Sequence, residues 1–354
     1  MAYTTIDKPS NYFDTKLYTG DGTTNQTITG INFKPDFNWI KLRSSAHQHT
    51  LTDAVRGLNK GLLSNSTQAE NTDYQYGWLS SFNSDGFTTQ KGSGIAYNVN
   101  QSGETYVSWN WLGANTTASN TAGSITSTVS ANTTSGFSIV SYTGTGANAS
   151  IGHGLGSTPA MIICKSRSDA EEWATYHQSL GTTKYIVLNS TAGANSTARF
   201  YQAPTSSLFY VDNGYGVNKS SATYIAYCFA EVKGYSKFGK FISNNSDNGT
   251  FTYCGFKPAW VMMKPNVSDG WSHWYIFDNK RDLHNLTDLN LQANLSDADN
   301  YGGANYAQID MLSNGFKIRR DQNWGLGGSG TEVIYMAFAE NPFVSSTGIP
   351  TTAR

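Results

Sequence analysis

Three proline-led apolar segments constrain this chain more than any other feature of its sequence. They read FKPDFNWIK (33–41), STPAMIICK (157–165) and FKPAWVMMK (256–264). In each, a lysine follows the proline by six residues: Pro35 to Lys41, Pro159 to Lys165, Pro258 to Lys264. Proline tolerates a strand's start but not the middle of a central strand, so each segment reads as a turn feeding a strand. The residues between are apolar at both parities, as expected for a strand covered on both sides. Only the first segment departs, with Asn38.

A second anchor closes each copy: YVSWNW (106–111), YIAYCF (224–229) and VIYMAF (333–338). Aligned on the last aromatic, one face carries Val107, Trp109 and Trp111. Its counterparts are Ile225, Tyr227 and Phe229, then Ile334, Met336 and Phe338. A period of two is a strong strand signal. Weaker anchors are LLSNST (62–67) with VLNSTA (187–192), and SDGFTTQ (84–90) with SNGFKIR (313–319). Before each proline comes a strand-and-turn string: KLYTGDG, SIVSYTGTG and GKFISNNSDNG. The chain therefore divides into copies at 1–113, 136–233 and 234–343. Residues 114–135 form a Ser/Thr/Asn-rich linker or arm, and 344–354 a C-terminal tail. Residues 281–295 allow one short helix with an uneven apolar stripe. Each copy has the length of a two-sheet domain, so the expected fold is all-β, with three tandem β-sandwich, jelly-roll-like domains.

Composition narrows the function. Charged residues are 14% of the chain, against about 25% in an ordinary globular protein, and the formal net charge is -1. There is no strong field to draw nucleic acid or anionic lipid. Neither a basic-then-apolar leader nor an apolar run of membrane-spanning length is present, so synthesis in a cytosol without membrane insertion is expected. Cys164, Cys228 and Cys254 lie singly in apolar runs and read as buried small hydrophobes.

Candidate sites are few. His47 and His49 flank Gln48, and on a strand they would share a face, as a metal pair would need; such a spacing is common by chance, and a polar loop is the preferred reading. Asp53 and Arg56, like Asp278 and Arg281, share an Asp-x-x-Arg spacing suited to a local ion pair that pins a bend. The second copy, with His177 and Leu180, loses it. Trp173, Tyr176, Trp271, Trp274, Tyr275 and Trp324 sit among polar residues and could stack on sugars, or plug sandwich edges. No carboxylate pair is singled out for glycoside hydrolysis, and no GxSxG elbow or phosphate loop occurs. No catalytic, cofactor or metal residue is assigned, and no enzyme activity is expected.

The strings KPDFNWIKLR, LTDAVRG, SSFNSDGFTT, YVSWNWLG, GFSIVSYTGTG and GHGLGSTPAMIICKSR resemble a repeat domain of tail-fibre and other virion proteins from marine tailed phages. The resemblance covers the chain outside 114–135 and the ends. The first copy matches best, through Asp85-Gly86-Phe87 and Trp109-x-Trp111. The second lacks DGF and has YCF; the third has Asn314-Gly315-Phe316 and MAF. The resemblance implies a lectin-like jelly roll, a fold analogy that carries no guarantee of sugar binding. It implies a structural component of a tailed-phage virion made in the bacterial cytoplasm, placed in the tail rather than the head as a fibre or appendage touching the host surface. Capsid decoration and a carbohydrate-binding module are the alternatives. Expected partners are other copies of the chain in a symmetric oligomer, other virion proteins and a host-surface glycan.

Overall fold

The computed structural model describes residues 2–72, 74–94, 98–197, 199–299, 307–320, 326 and 328–351. These are almost entirely strand and loop, with helix confined to single turns at Pro9–Asn11, Tyr74–Tyr76 and Tyr215–Asn218. No helix among them is long and apolar enough to cross a membrane.

Three larger antiparallel sheets dominate. The first runs Phe13–Thr19, Thr105–Trp111, Phe37–Leu42, His49–Asp53. The second holds Phe137–Thr143, Thr223–Ala230, Pro159–Ser166 and Ala174–His177 in the same order, and the third Ser236–Ile242, Glu332–Pro342, Phe256–Pro265 and Tyr275–Asp278. The register is equivalent too: Phe37 faces Trp111, Met161 faces Phe229, and Trp260 faces Phe338. Aligning the sequence on its lysines and on its last aromatics therefore picks out the same rungs of each ladder.

The inner strands of each large sheet are buried on both faces, which is why they lack polar alternation. One face shares an apolar cluster with a smaller sheet. In the first copy, Ile40, Leu42 and Tyr106 meet Ile28, Leu79 and Phe87. The DGF and NGF strings start strands of these smaller sheets, at Gly86–Gln90 and Gly315–Arg320. A Cβ at Gly86 or Gly315 would collide with a neighbouring strand's carbonyl, Ile28 O or Thr252 O, so glycine is needed there. The opposite faces of all three large sheets meet in one core. The equivalent residues Trp111, Phe229 and Phe338 touch mutually, with ring centroids 6.2, 5.7 and 6.1 Å apart. Three equivalent rings in mutual contact define an approximate threefold arrangement inside one chain.

The segment at 114–135 joins the second sheet: Ser127–Asn132 pairs with Phe137–Thr143, and Ala118–Asn120 extends the edge. The Asp36 carboxylate holds its start by accepting from the Gly113 and Asn115 N–H groups. The helix expected in 281–295 is absent. Its backbone donors go elsewhere: Arg281 N–H to Asp278, Asp288 N–H to Asp282, and Thr287 N–H to Ile309. Such local bonds offer the backbone an alternative to helix. The three cysteines are buried and unpaired with each other; burial pushes the Cys164 and Cys254 thiols up to about 12.

The described residues nearest both ends of the chain lie at the Trp111–Phe229–Phe338 level. Phe13 pairs with Trp111, Phe256 with Pro342, and the Tyr3 hydroxyl donates to Gly255 O at 2.8 Å. The C-terminal tail folds back there, where the Ser346 N–H donates to Asp7. The Thr105, Thr223 and Glu332 ends of the central strands form the opposite end, which we call distal.

Candidate functional site at the seams between copies

Polar side chains concentrate where one copy meets the next. The lysines that close the proline-led strands could, at a strand end, lay their stems over apolar surface with the ammonium in water. They are instead fully buried. Lys264 Nζ donates to Ser272 O (2.7 Å), Pro265 O (3.0 Å) and, in the second copy, Thr191 O (2.9 Å). Three carbonyls match the three protons of an ammonium. Lys165 reaches Thr67 O in the first copy at 3.2 Å. Lys41 lies in the field of Asp299 and Asp297 from the third. Burial pushes Lys41 and Lys264 down to about 7, and Lys165 to about 8.

A second element repeats beside each lysine. Trp173 Nε1 donates to Leu63 O (2.9 Å), Trp274 Nε1 to Val187 O (2.9 Å), and His49 Nε2 to Gln292 O (3.0 Å). Each carbonyl sits two residues before an asparagine, Asn65, Asn189 or Asn294, which accepts the backbone N–H of a ring-bearing residue in its own copy. The links run second to first, third to second and first to third, so they close a circle. His49 Nδ1 accepts from Trp39 Nε1 at 2.9 Å, which fixes the Nε2–H tautomer, and burial holds the ring neutral. With both nitrogens engaged, His49 has no lone pair to offer a metal alongside His47. Trp173→Phe, which keeps the ring but not the N–H, is expected to cost about 1–2 kcal/mol in urea unfolding.

The third element is charged, and it differs among seams. The Asp-x-x-Arg pairs do pin their bends: Arg56 Nε to Asp53 at 2.5 Å and Arg281 Nε to Asp278 at 2.6 Å, all four side chains buried. Each pair also bridges copies. Asp53 accepts from the Tyr227 hydroxyl at 2.8 Å, and Asp278 from Trp109 Nε1 at 3.0 Å. Each arginine reaches a second acid, Glu70 or Asp299, which in turn binds an arginine two residues beyond a seam lysine, Arg167 or Arg43. Burial opposes the Glu70 charge, but Arg167 and Arg56 hold its carboxyl below the usual range. At the remaining seam five positions change together. His177, Leu180, Ala194, Asn266 and Met336 stand where the other seams have Asp, Arg, an acid, Arg and a hydrogen-bonding ring. Met336 has no donor for a carboxylate; His177 Nε2 bonds Tyr335 O instead (3.1 Å), and Ala194 N–H donates to Asn266 (2.7 Å). The sequence spacing predicted the two local pairs; the second acid and the cross-copy partners lie too far apart in the chain to be read from it.

Most aromatics singled out for sugar contact are structural. Trp173, Tyr176, Trp274 and Tyr275 are buried, two of them as the seam donors above. Trp324 lies outside the described residues. Trp271 is 51% exposed. A groove of about 330 Å³ is lined, among the described residues, by Lys257, Asp282 and His284 with neutral neighbours.

Residues 8–342 match a family described as a Domain of unknown function (DUF7483). The chain belongs to that family. No curated protein and no solved structure matches it. The DUF7483 match runs through all three large sheets and every seam, so the family unit includes the shared core.

Proposed function

We propose that the chain is a structural component of a tailed-phage virion, a tail fibre or tail appendage that contacts the host surface. On this proposal each large sheet and its smaller partner form a jelly-roll-like sandwich, and three sandwiches stand in one chain where a fibre has three chains. Its partners are other virion proteins and further copies of itself. The observation that carries the proposal is the closed circle of seams. Buried cations and ring N–H groups there serve neighbouring copies, which suits a rigid body acting by shape and multivalent contact. The phage resemblance supplies the setting.

Gold-labelled antibody against residues 234–343 on purified particles tests it. Label on the tail is the expected result. Label confined to the head would replace the tail assignment with capsid decoration, and unlabelled particles would reject a virion role.

A further inference from the structure

Each copy places an exposed aromatic at the distal end. Trp271 (51% exposed) follows the Lys264 strand end, and Asp269 fixes its turn by accepting the N–H groups of Trp271 and Ser272, each at 2.8 Å. That loop is braced on the second copy, where Gly193 N–H donates to Ser268. Tyr215 (62%) opens the helical turn Tyr215–Asn218; its carbonyl accepts from the hydroxyl of Tyr224, a distal residue of the central strand, and Lys219 lies over its ring. Tyr76 (39%) packs its ring against His47, just beyond the distal end of the Lys41 strand. These rings stand opposite the end that holds residues 3–13 and 342–346.

We infer that the distal end is a carbohydrate-binding face for a neutral polysaccharide, with Trp271 as its principal stacking platform and Tyr215 and Tyr76 as flanking ones. This rests on the virion assignment and names what the host-facing end would grip. Two features select the ligand class. Indole and phenol faces carry negative potential and bind the C–H face of a pyranose, while hydroxyls and amides around them match its equatorial groups. Four distal cations, meanwhile, are already paired: Arg43 with Asp299, Arg167 with Glu70, Lys219 with Asp169, Lys240 with Glu332. An acidic polymer finds no spare cation among these pairs, whereas a neutral glycan needs none. Three platforms on one rigid body raise avidity for a repeating polymer, so modest single-site affinity suffices.

Native electrophoresis of the full chain through gels containing dextran, galactan, mannan or alginate tests this. At least one neutral polymer should retard the chain. Trp271→Ala should weaken that retardation roughly tenfold, and the triple alanine variant at Trp271, Tyr215 and Tyr76 should abolish it, with melting temperature unchanged. Tyr253→Ala, which removes an exposed ring at the opposite end, beside Tyr3, should have no effect. Retardation by alginate alone, by no neutral polymer, or equally in the triple variant would overturn the inference. A labelled tail without retardation would reject the glycan face and leave the virion assignment standing; retardation with unlabelled particles would do the reverse.

Discussion

Asp278→Ala is expected to lower the unfolding free energy by about 3–5 kcal/mol, the usual cost of removing one partner from a buried ion pair. Its carboxylate accepts from the Arg281 N–H and guanidinium, the Lys280 N–H and, across the seam, Trp109 Nε1. Truncation leaves the buried guanidinium with Asp299 and Ile276 O as its remaining partners, and leaves an indole N–H without an acceptor. The seam that lacks these charges supplies a control. There His177 and Leu180 occupy the equivalent places, and Leu180 packs into the shared core. The double variant Asp278→His/Arg281→Leu should therefore recover at least half of the loss, because well-packed apolar replacement of a buried pair is often close to neutral. Equilibrium unfolding in urea, compared at one pH, measures both. If the double variant were less stable than Asp278→Ala, the apolar seam would not be an equivalent solution.

How far this was legible in the sequence depends on chain distance. The proline-to-lysine strands and the terminal aromatics are local patterns, and the ladder registers follow them residue for residue. Apolar residues at both parities of FNWI and MIIC predicted strands covered on both sides, but periodicity does not say what covers the second face. That the cover is the other two copies depends on contacts such as Trp111 with Phe229, which no local pattern encodes. Residues 114–135 resisted for a different reason: Ser, Thr and Asn suit a polar edge strand as well as a tether. The one internal clue to the seams was available, since the second copy loses Asp-x-x-Arg. The compensating changes at Ala194, Asn266 and Met336 acquire meaning only when those positions share a seam.

Acidification should loosen the same seam, the one without an Asp–Arg pair. His177 Nδ1 accepts from the Ser179 N–H at 3.2 Å while Nε2 donates to Tyr335 O, so the buried ring is neutral with both nitrogens used. Burial pushes it down to about 4, only partly offset by its bond to Tyr335 O. An unfolded histidine titrates near 6.5, so as pH falls the unfolded chain takes up this proton first. The stabilisation is complete above pH 6.5, is lost progressively below it, and is gone once pH passes 4. A shift of that size corresponds to about 3 kcal/mol. His273, likewise held near 4 by burial and by Lys264, adds a loss of the same sign. Asp14 opposes both: burial raises its carboxyl to about 6, so protonation there favours the folded chain as pH falls. The His177 contribution is isolated by His177→Gln, whose amide can donate to Tyr335 O and accept from Ser179 N–H without titrating. Between pH 6.5 and 4 the unmodified chain should lose about 3 kcal/mol more than this variant in urea unfolding. Parallel pH profiles would mean that the ring accepts its proton in place, and that this seam tolerates a charged ring there.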